Sequence, residues 1–161
     1  MKVQTGYLYH IKDEFFEKIN DNNLMTNHEK GKKRPTYFAI KDGDLLWFIP
    51  LSSKIDKYQR IIKTKINKYG FCNTILIRKI INKDHAILLQ NAFPTLEKYI
   101  DHEHIVNHHP VKVSTKVKKD IIYNFNKLFL LKDNGINLFF VDIDRIKKMM
   151  LEEADTSVQN L

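Results

Sequence analysis

A chain of 161 residues that is 43% hydrophobic and 29% charged has the size and apolar content for one globular domain with a sizeable core. Lys and Arg number 27 against 19 Asp and Glu, a formal net charge of +8 that favours polyanionic partners: RNA, DNA or an anionic membrane surface. No apolar stretch approaches the ~20 residues that cross a bilayer, which excludes a helical membrane span, and the single cysteine, Cys72, allows no internal disulfide.

The opening MKVQTGYLYH lacks the unbroken apolar core of a signal peptide, so a cytoplasmic location is expected. KVQTGYLYHI predicts a first strand, and KDEFFEKINDNN a short helix with Phe15, Phe16 and Ile19 on one side. The polar, cationic LMTNHEKGKKRP, residues 24–35, reads as a loop stopped by Pro35. TYFAIKDGDLLWFIPL has the form of a hairpin, with apolar runs at 36–40 and 45–51 about a turn at Gly43. KIDKYQRIIKTKI then predicts a helix, and CNTILIRKI and HAILLQNAF a second antiparallel pair. Cys72 reads as a small buried hydrophobe.

Further on, TLEKYIDHEHI predicts a short helix, VKV a short strand and STKVKKDIIYNFNKLFLLKDNG a long helix. That long helix has Ser114 or Thr115 as its cap and an apolar stripe at Val117, Ile121, Phe125 and Leu128. INLFFVDI predicts a last strand, Asp142 or Asp144 caps a C-terminal helix, and residues 155–161 read as a frayed tail. Strands and helices that do not alternate regularly favour α+β, with a mostly antiparallel sheet flanked by helices in one domain, 1–161.

The histidines of HEHIVNHH, residues 102–109, lack the HExxH order of a helical zinc site, no Gly-rich phosphate loop occurs, and the acidic residues are scattered rather than gathered for two Mg²⁺ ions. No metal or cofactor is therefore assigned. RNA permits cleavage without one, because its 2′-hydroxyl can attack the adjacent phosphorus while the protein orients it and balances charge. An antiparallel hairpin returns Arg34 to the same end as Ser52, Ser53 and Lys54, a set of two hydroxyls and two cations suited to a phosphodiester. The same serines could equally form a turn or cap the following helix, and Lys54, Lys57 and Arg60 could be a solvated face. Tyr7, Tyr9, Tyr37, Trp47 and Tyr58 are aromatics that could stack on bases, although Trp47 and Phe48 fit the core better.

YHIKDEFFEKINDNNLMTNHEKGKKRPTYFAI, LLWFIPLSSKIDKYQ, AILLQNAFP and LFFVDIDRI together resemble the toxins of type III toxin–antitoxin systems, the ToxN, AbiQ and CptN family, with the CptN branch nearest. The resemblance runs from about Tyr9 to Ile146, and its most specific parts are the Arg-Pro before the hairpin and the two serines with a lysine after it. It implies a metal-independent endoribonuclease on a twisted antiparallel sheet, a partly open barrel similar to the Kid and MazF toxins. It also implies a small pseudoknot RNA as antitoxin and substrate, a closed toxin–RNA ring, and cellular mRNA as the target of freed toxin in a bacterial cytoplasm. The motif carries over to Ser52 and Ser53, with Lys54 and Lys57 as rival cations because part of the family has a proline between the hydroxyls and the lysine. Arg34, Lys32 and Lys33 match the second basic contact, and Tyr9 or His10 an aromatic of the first strand. A wider RNA surface would draw on Lys63, Lys65, Lys68, Lys112, Lys116, Lys118 and Lys119, with Tyr37 and Tyr58 nearby. A non-catalytic RNA- or DNA-binding module would use the same basic residues without producing new RNA ends.

Overall fold

The computed structural model describes residues 2–160. Strand β1 spans Leu8–Ile11, and helix α1 follows over Asp13–Ile19 with Phe15 and Ile19 buried. β1 starts well after the predicted position, because Gly6 at φ +91 breaks the extended chain. The supposed loop at 24–35 contains a two-stranded ribbon, β2 (His28–Glu29) and β3 (Lys32–Lys33), closed by Lys30 and Gly31, both at positive φ. Such a turn needs left-handed backbone at both central residues, which Gly31 supplies without strain.

β4 (Thr36–Asp42) and β5 (Leu45–Ser52) form the predicted hairpin. All eight residues of β5 are buried, as a strand covered on both faces and paired on both edges must be. α2 (Ile55–Tyr69) leads to the second hairpin, β6 (Ile75–Ile80) with β7 (Lys83–Leu88). β8 (Phe93–Thr95) pairs with β5, and β9 (Ile100–Glu103) pairs with β1. Residues 95–105 thus contain only one turn of 3₁₀ helix, Glu97–Tyr99, before a strand, where the pattern predicted a helix. A segment that short nucleates a helix poorly, and the open edge of β1 offers its backbone better partners. β10 (Ile105–Val106) and β11 (His109–Pro110) make a small separate ribbon.

The main sheet runs β6-β7-β5-β4-β1-β9, with β8 beside β5, every pairing antiparallel and the two ends not joined to each other. The chain is α+β, with an open, mostly antiparallel sheet flanked by helices. α3 (Thr115–Asp133) begins at the Ser114 cap, whose Oγ accepts from Val117 N at 3.2 Å, and buries the predicted stripe Val117, Ile121, Phe125 and Leu128. Trp47 meets this helix edge-on through Phe125 and Phe129, at 6.2 and 5.1 Å between ring centroids. Burying side chains of that size contributes about 1.5–3 kcal/mol each and fixes the helix on the sheet.

Three further expectations fail. VKV contributes one isolated bridge, Tyr7 to Lys112, and INLFFVDI is irregular: Phe139 and Val141 are buried, but Phe140 N donates to Gln90 O at 2.8 Å rather than to a ladder. Cys72 is half-buried and free. α4 spans Ile143–Gln159 and is capped by Asp142. No helix among the described residues is long and apolar enough to cross a membrane.

Candidate active site

Strand register assembles the site. Thr36 faces Pro50, and Leu51 N donates to Pro35 O at 3.1 Å, so the residues just beyond, Arg34 and Ser52, emerge side by side. On the other edge of β5, Ser52 faces Ala86 of β7, which brings the preceding residue, His85, to the same cleft as Ser53. The β2–β3 ribbon then folds Glu29 over the exit of β5.

Glu29 is the hub. Its Oε1 accepts from Ser53 N at 3.0 Å and Ser53 Oγ at 2.6 Å, and its Oε2 accepts from Ser52 Oγ at 2.9 Å and Arg34 Nη1 at 2.6 Å. Burial raises the carboxyl's pKa, but the Ser53 and Ser52 hydrogen bonds and the Arg34 charge more than offset it and hold Glu29 down at about 2. Arg34 is only 5% exposed, and its guanidinium also donates to Thr26 O and Leu51 O, both at 2.8 Å. The arginine expected to face a phosphate is therefore engaged with protein acceptors.

The serine alternatives also resolve. Neither caps α2, whose N-cap, Lys54, has no side-chain partner; instead Ser52 Oγ accepts from Lys54 N at 3.2 Å in a tight turn. Ser52 is 2% exposed and doubly engaged, whereas Ser53 is half-buried at the rim of a cleft of about 300 Å³. Lys30, Lys32, Lys33 and Lys83 line that cleft together with His85 and His104.

His85 Nδ1 lies 2.9 Å from the Lys83 carbonyl. A carbonyl only accepts, so Nδ1 carries the proton and Nε2 of the neutral ring is a free base. Burial lowers the pKa of His85 and favours this neutral form. His104 Nδ1 shares a proton with His10 Nε2 across 2.8 Å, and His10 stacks on His102 at 4.6 Å.

Burial, then the neighbouring His104 and His102, push His10 down to about 4. The unfolded chain binds a proton there near pH 6.5 and the folded chain only near 4, so this contribution to stability is complete above 6.5 and lost as pH falls toward 4, by about 3 kcal/mol. Glu29 acts below that window: its contribution is complete above its ordinary 4.5 and lost as pH falls toward about 2. Urea unfolding between pH 7 and 4.5 should show stability declining, and His10→Phe should flatten the decline in part, because His85 and His104 are shifted the same way. An unchanged slope in His10→Phe would remove His10 as the source.

With this geometry in view, comparison with solved structures is decisive for the fold. AbiQ, a lactococcal anti-phage endoribonuclease belonging to the type III toxin–antitoxin system, superposes with a TM-score of 0.73 over 94% of this chain and 99% of its own, at 13% identity. The chain shares the AbiQ fold. A chain from a bacterial type III toxin–antitoxin system, in which a non-coding RNA pseudoknot selectively inhibits the toxin, superposes at 0.62 over 94% of this chain and 99% of its own, at 12% identity. No protein-family model matches the chain, and no curated protein matches it in sequence.

On this AbiQ fold the other sequence candidates scatter. Tyr9, Tyr37 and Tyr58 are 1%, 2% and 4% exposed and present no open ring face for a base. Tyr9 packs edge-on against Phe38 and Phe48, and burial pushes Tyr37 up to about 12. His10, 7% exposed, reaches the cleft only through His104. Lys54, Lys57 and Lys63 are exposed around α2, while Lys65 is held by Thr74 Oγ1 and Gln90 Oε1 at 2.8 and 2.9 Å. Lys112, Lys116, Lys118 and Lys119 form a separate basic area at the start of α3.

Glu29 and His85 escaped the sequence reading, which weighed His104 only as a metal ligand. Glu29 had one usable signal, a lone carboxylate among four cations and a histidine in HEKGKKR, since a buried arginine requires a carboxylate partner. His85 stood at the head of an apolar run just after a polar turn, and only strand register brings it beside Ser53.

Proposed function

We propose that this chain is a metal-independent endoribonuclease toxin of the type III toxin–antitoxin kind. The observation that carries the reading is the convergence of the Ser53 hydroxyl, the His85 imidazole and four lysines on one cleft, within a fold shared with an anti-phage endoribonuclease.

The RNA supplies its own nucleophile. His85 Nε2 takes the proton of a 2′-hydroxyl as the new 2′-O–P bond forms, and the lysines with the Ser53 hydroxyl, turned outward from Glu29, hold the non-bridging oxygens. The P–O5′ bond breaks, and the 5′-oxygen takes a proton from a lysine ammonium or water, leaving a 2′,3′-cyclic phosphate and a 5′-hydroxyl. Glu29 stays in place throughout, on the Ser53 N–H and Arg34.

The partner in this reading is a pseudoknot RNA antitoxin, of the kind that inhibits the toxin of the second structural relative. The toxin cuts it from a repeat precursor and holds the product in a closed ring, and freed toxin cuts cellular mRNA in the cytoplasm. The basic area at Lys112, Lys116, Lys118 and Lys119 would receive its backbone.

Incubation with A-rich RNA in EDTA, followed by mapping of the termini, tests the chemistry. Cyclic phosphate and 5′-hydroxyl ends are expected; salt-dependent binding without new ends would instead make the chain a binding module. The rate should fall as pH drops through the lowered His85 pKa, below the ordinary 6.5. In His85→Gln that acid limb should vanish and the rate drop by about 100-fold or more. A variant that keeps the same acid limb removes His85 as the base.

A further inference from the structure

A second cavity, of about 420 Å³, opens between the C-terminal end of α2, residues 71–74, the end of α3 and the irregular segment 136–140. Tyr69, Phe71 and Phe140 line it while 59%, 56% and 53% exposed, and Ile136 and Leu138 complete an apolar wall. Single exposed apolar side chains are ordinary, but three exposed rings gathered around one cavity form an apolar patch of the kind that marks a binding surface.

Two polar features show what the cavity suits. Asn73 lines it at 6% exposure, and its Nδ2 has no hydrogen-bond partner. Such an orphan donor is destabilising in the free protein unless water or a ligand supplies an acceptor. Lys65 is fixed at the same cavity by Thr74 and Gln90, its Nζ 5.6 Å from the Phe140 ring centroid. An aliphatic ligand would leave the amide unsatisfied, and an apolar peptide would gain nothing from the cation. A planar ring with an acceptor on its edge and a phosphate attached uses all three.

α2 connects this cavity to the cleft. The helix begins just after Ser53 and ends at Tyr69; at about 1.5 Å per residue its 15 residues span about 22 Å. Lys57, Arg60 and Lys68 fall within about 80° of one another on its exposed surface, a cationic track between the two sites.

We propose that the cavity binds an unpaired nucleobase of the RNA strand whose scissile phosphate lies in the cleft. The base stacks among Phe71, Tyr69 and Phe140, a carbonyl or ring nitrogen of its edge accepts from Asn73 Nδ2, and the flanking phosphates lie along Lys65 and Lys68. This inference rests on reading the cleft as an RNA site.

The test measures binding of a fluorescein-labelled unstructured RNA, long enough to run the length of α2, in a Ser53→Ala background that cleaves slowly. Adding Phe71→Ala should weaken binding about tenfold. Asn73→Leu should weaken it as well while leaving the melting temperature unchanged or higher, because the orphan donor is gone. RNA carrying 4-thiouridine should crosslink to Tyr69, Phe71 or Phe140. Equal affinity in all variants, with the wild type still cutting RNA, overturns the nucleobase site and leaves the cleft reading intact. No RNA binding and no cleavage by any form overturns both. Self-association that is lost in Phe71→Ala would assign the cavity to a second copy of the chain and overturn the proposal.

Discussion

Ser53→Ala is expected to slow RNA cleavage by about 100-fold or more while the protein still folds. The hydroxyl gives up a 2.6 Å bond to Glu29 Oε1, but that oxygen keeps the Ser53 N–H at 3.0 Å, and Oε2 keeps Ser52 and Arg34. The stability cost should therefore stay near one neutral-to-charged hydrogen bond, about 1.5–3 kcal/mol. Ser52→Ala supplies the contrast. Ser52 is buried, accepts from Lys54 N and donates to Glu29, so its loss should show mainly in unfolding. Cleavage by purified Ser53→Ala at the wild-type rate would end the assignment of the cleft. A rate loss in Ser52→Ala as large as that in Ser53→Ala, without destabilisation, would transfer the role to Ser52.

Arg34→Ala should have the largest effect on folding, a loss of about 3–5 kcal/mol by urea denaturation. The substitution strands the half-buried Glu29 carboxylate and leaves the Leu51 and Thr26 carbonyls short of a donor. Arg34→Lys should restore little, because a single ammonium cannot reach acceptors that lie around the guanidinium fork. Glu29→Gln combined with Arg34→Met should recover part of the loss by removing the stranded charge together with its partner. If Arg34→Ala unfolded at the wild-type urea midpoint, the ion pair would not be what holds the ribbon on β5. A variant that folded normally yet bound RNA poorly would return Arg34 to the phosphate-contacting role that its sequence position suggested.

Local pattern was sufficient where an element answers only to its own periodicity and caps. The hairpin β4–β5, helices α2, α3 and α4 and the α+β class were legible for that reason: apolar alternation, the Gly43 turn, and the Ser114 and Asp142 caps are short-range physics. INLFFVDI and TLEKYIDHEHI were misread because pairing depends on which sheet edge is free. β9 found the edge of β1, whereas residues 136–140 found no ladder and satisfied Phe140 N on a loop carbonyl.

The same division runs through the site. From the sequence alone came the basic balance, the double serine after the hairpin, and its return to Arg34, since antiparallel strands joined by a tight turn must bring their outer ends together. Tertiary structure decided the surroundings of each member of that set. It buried Arg34 against Glu29, left Ser52 buried and Ser53 half-buried at the cleft rim, closed the faces of Tyr9, Tyr37 and Tyr58, and brought His85 in from another hairpin. Burial and cross-strand register are properties of contacts between distant segments, and no window of neighbouring residues contains them.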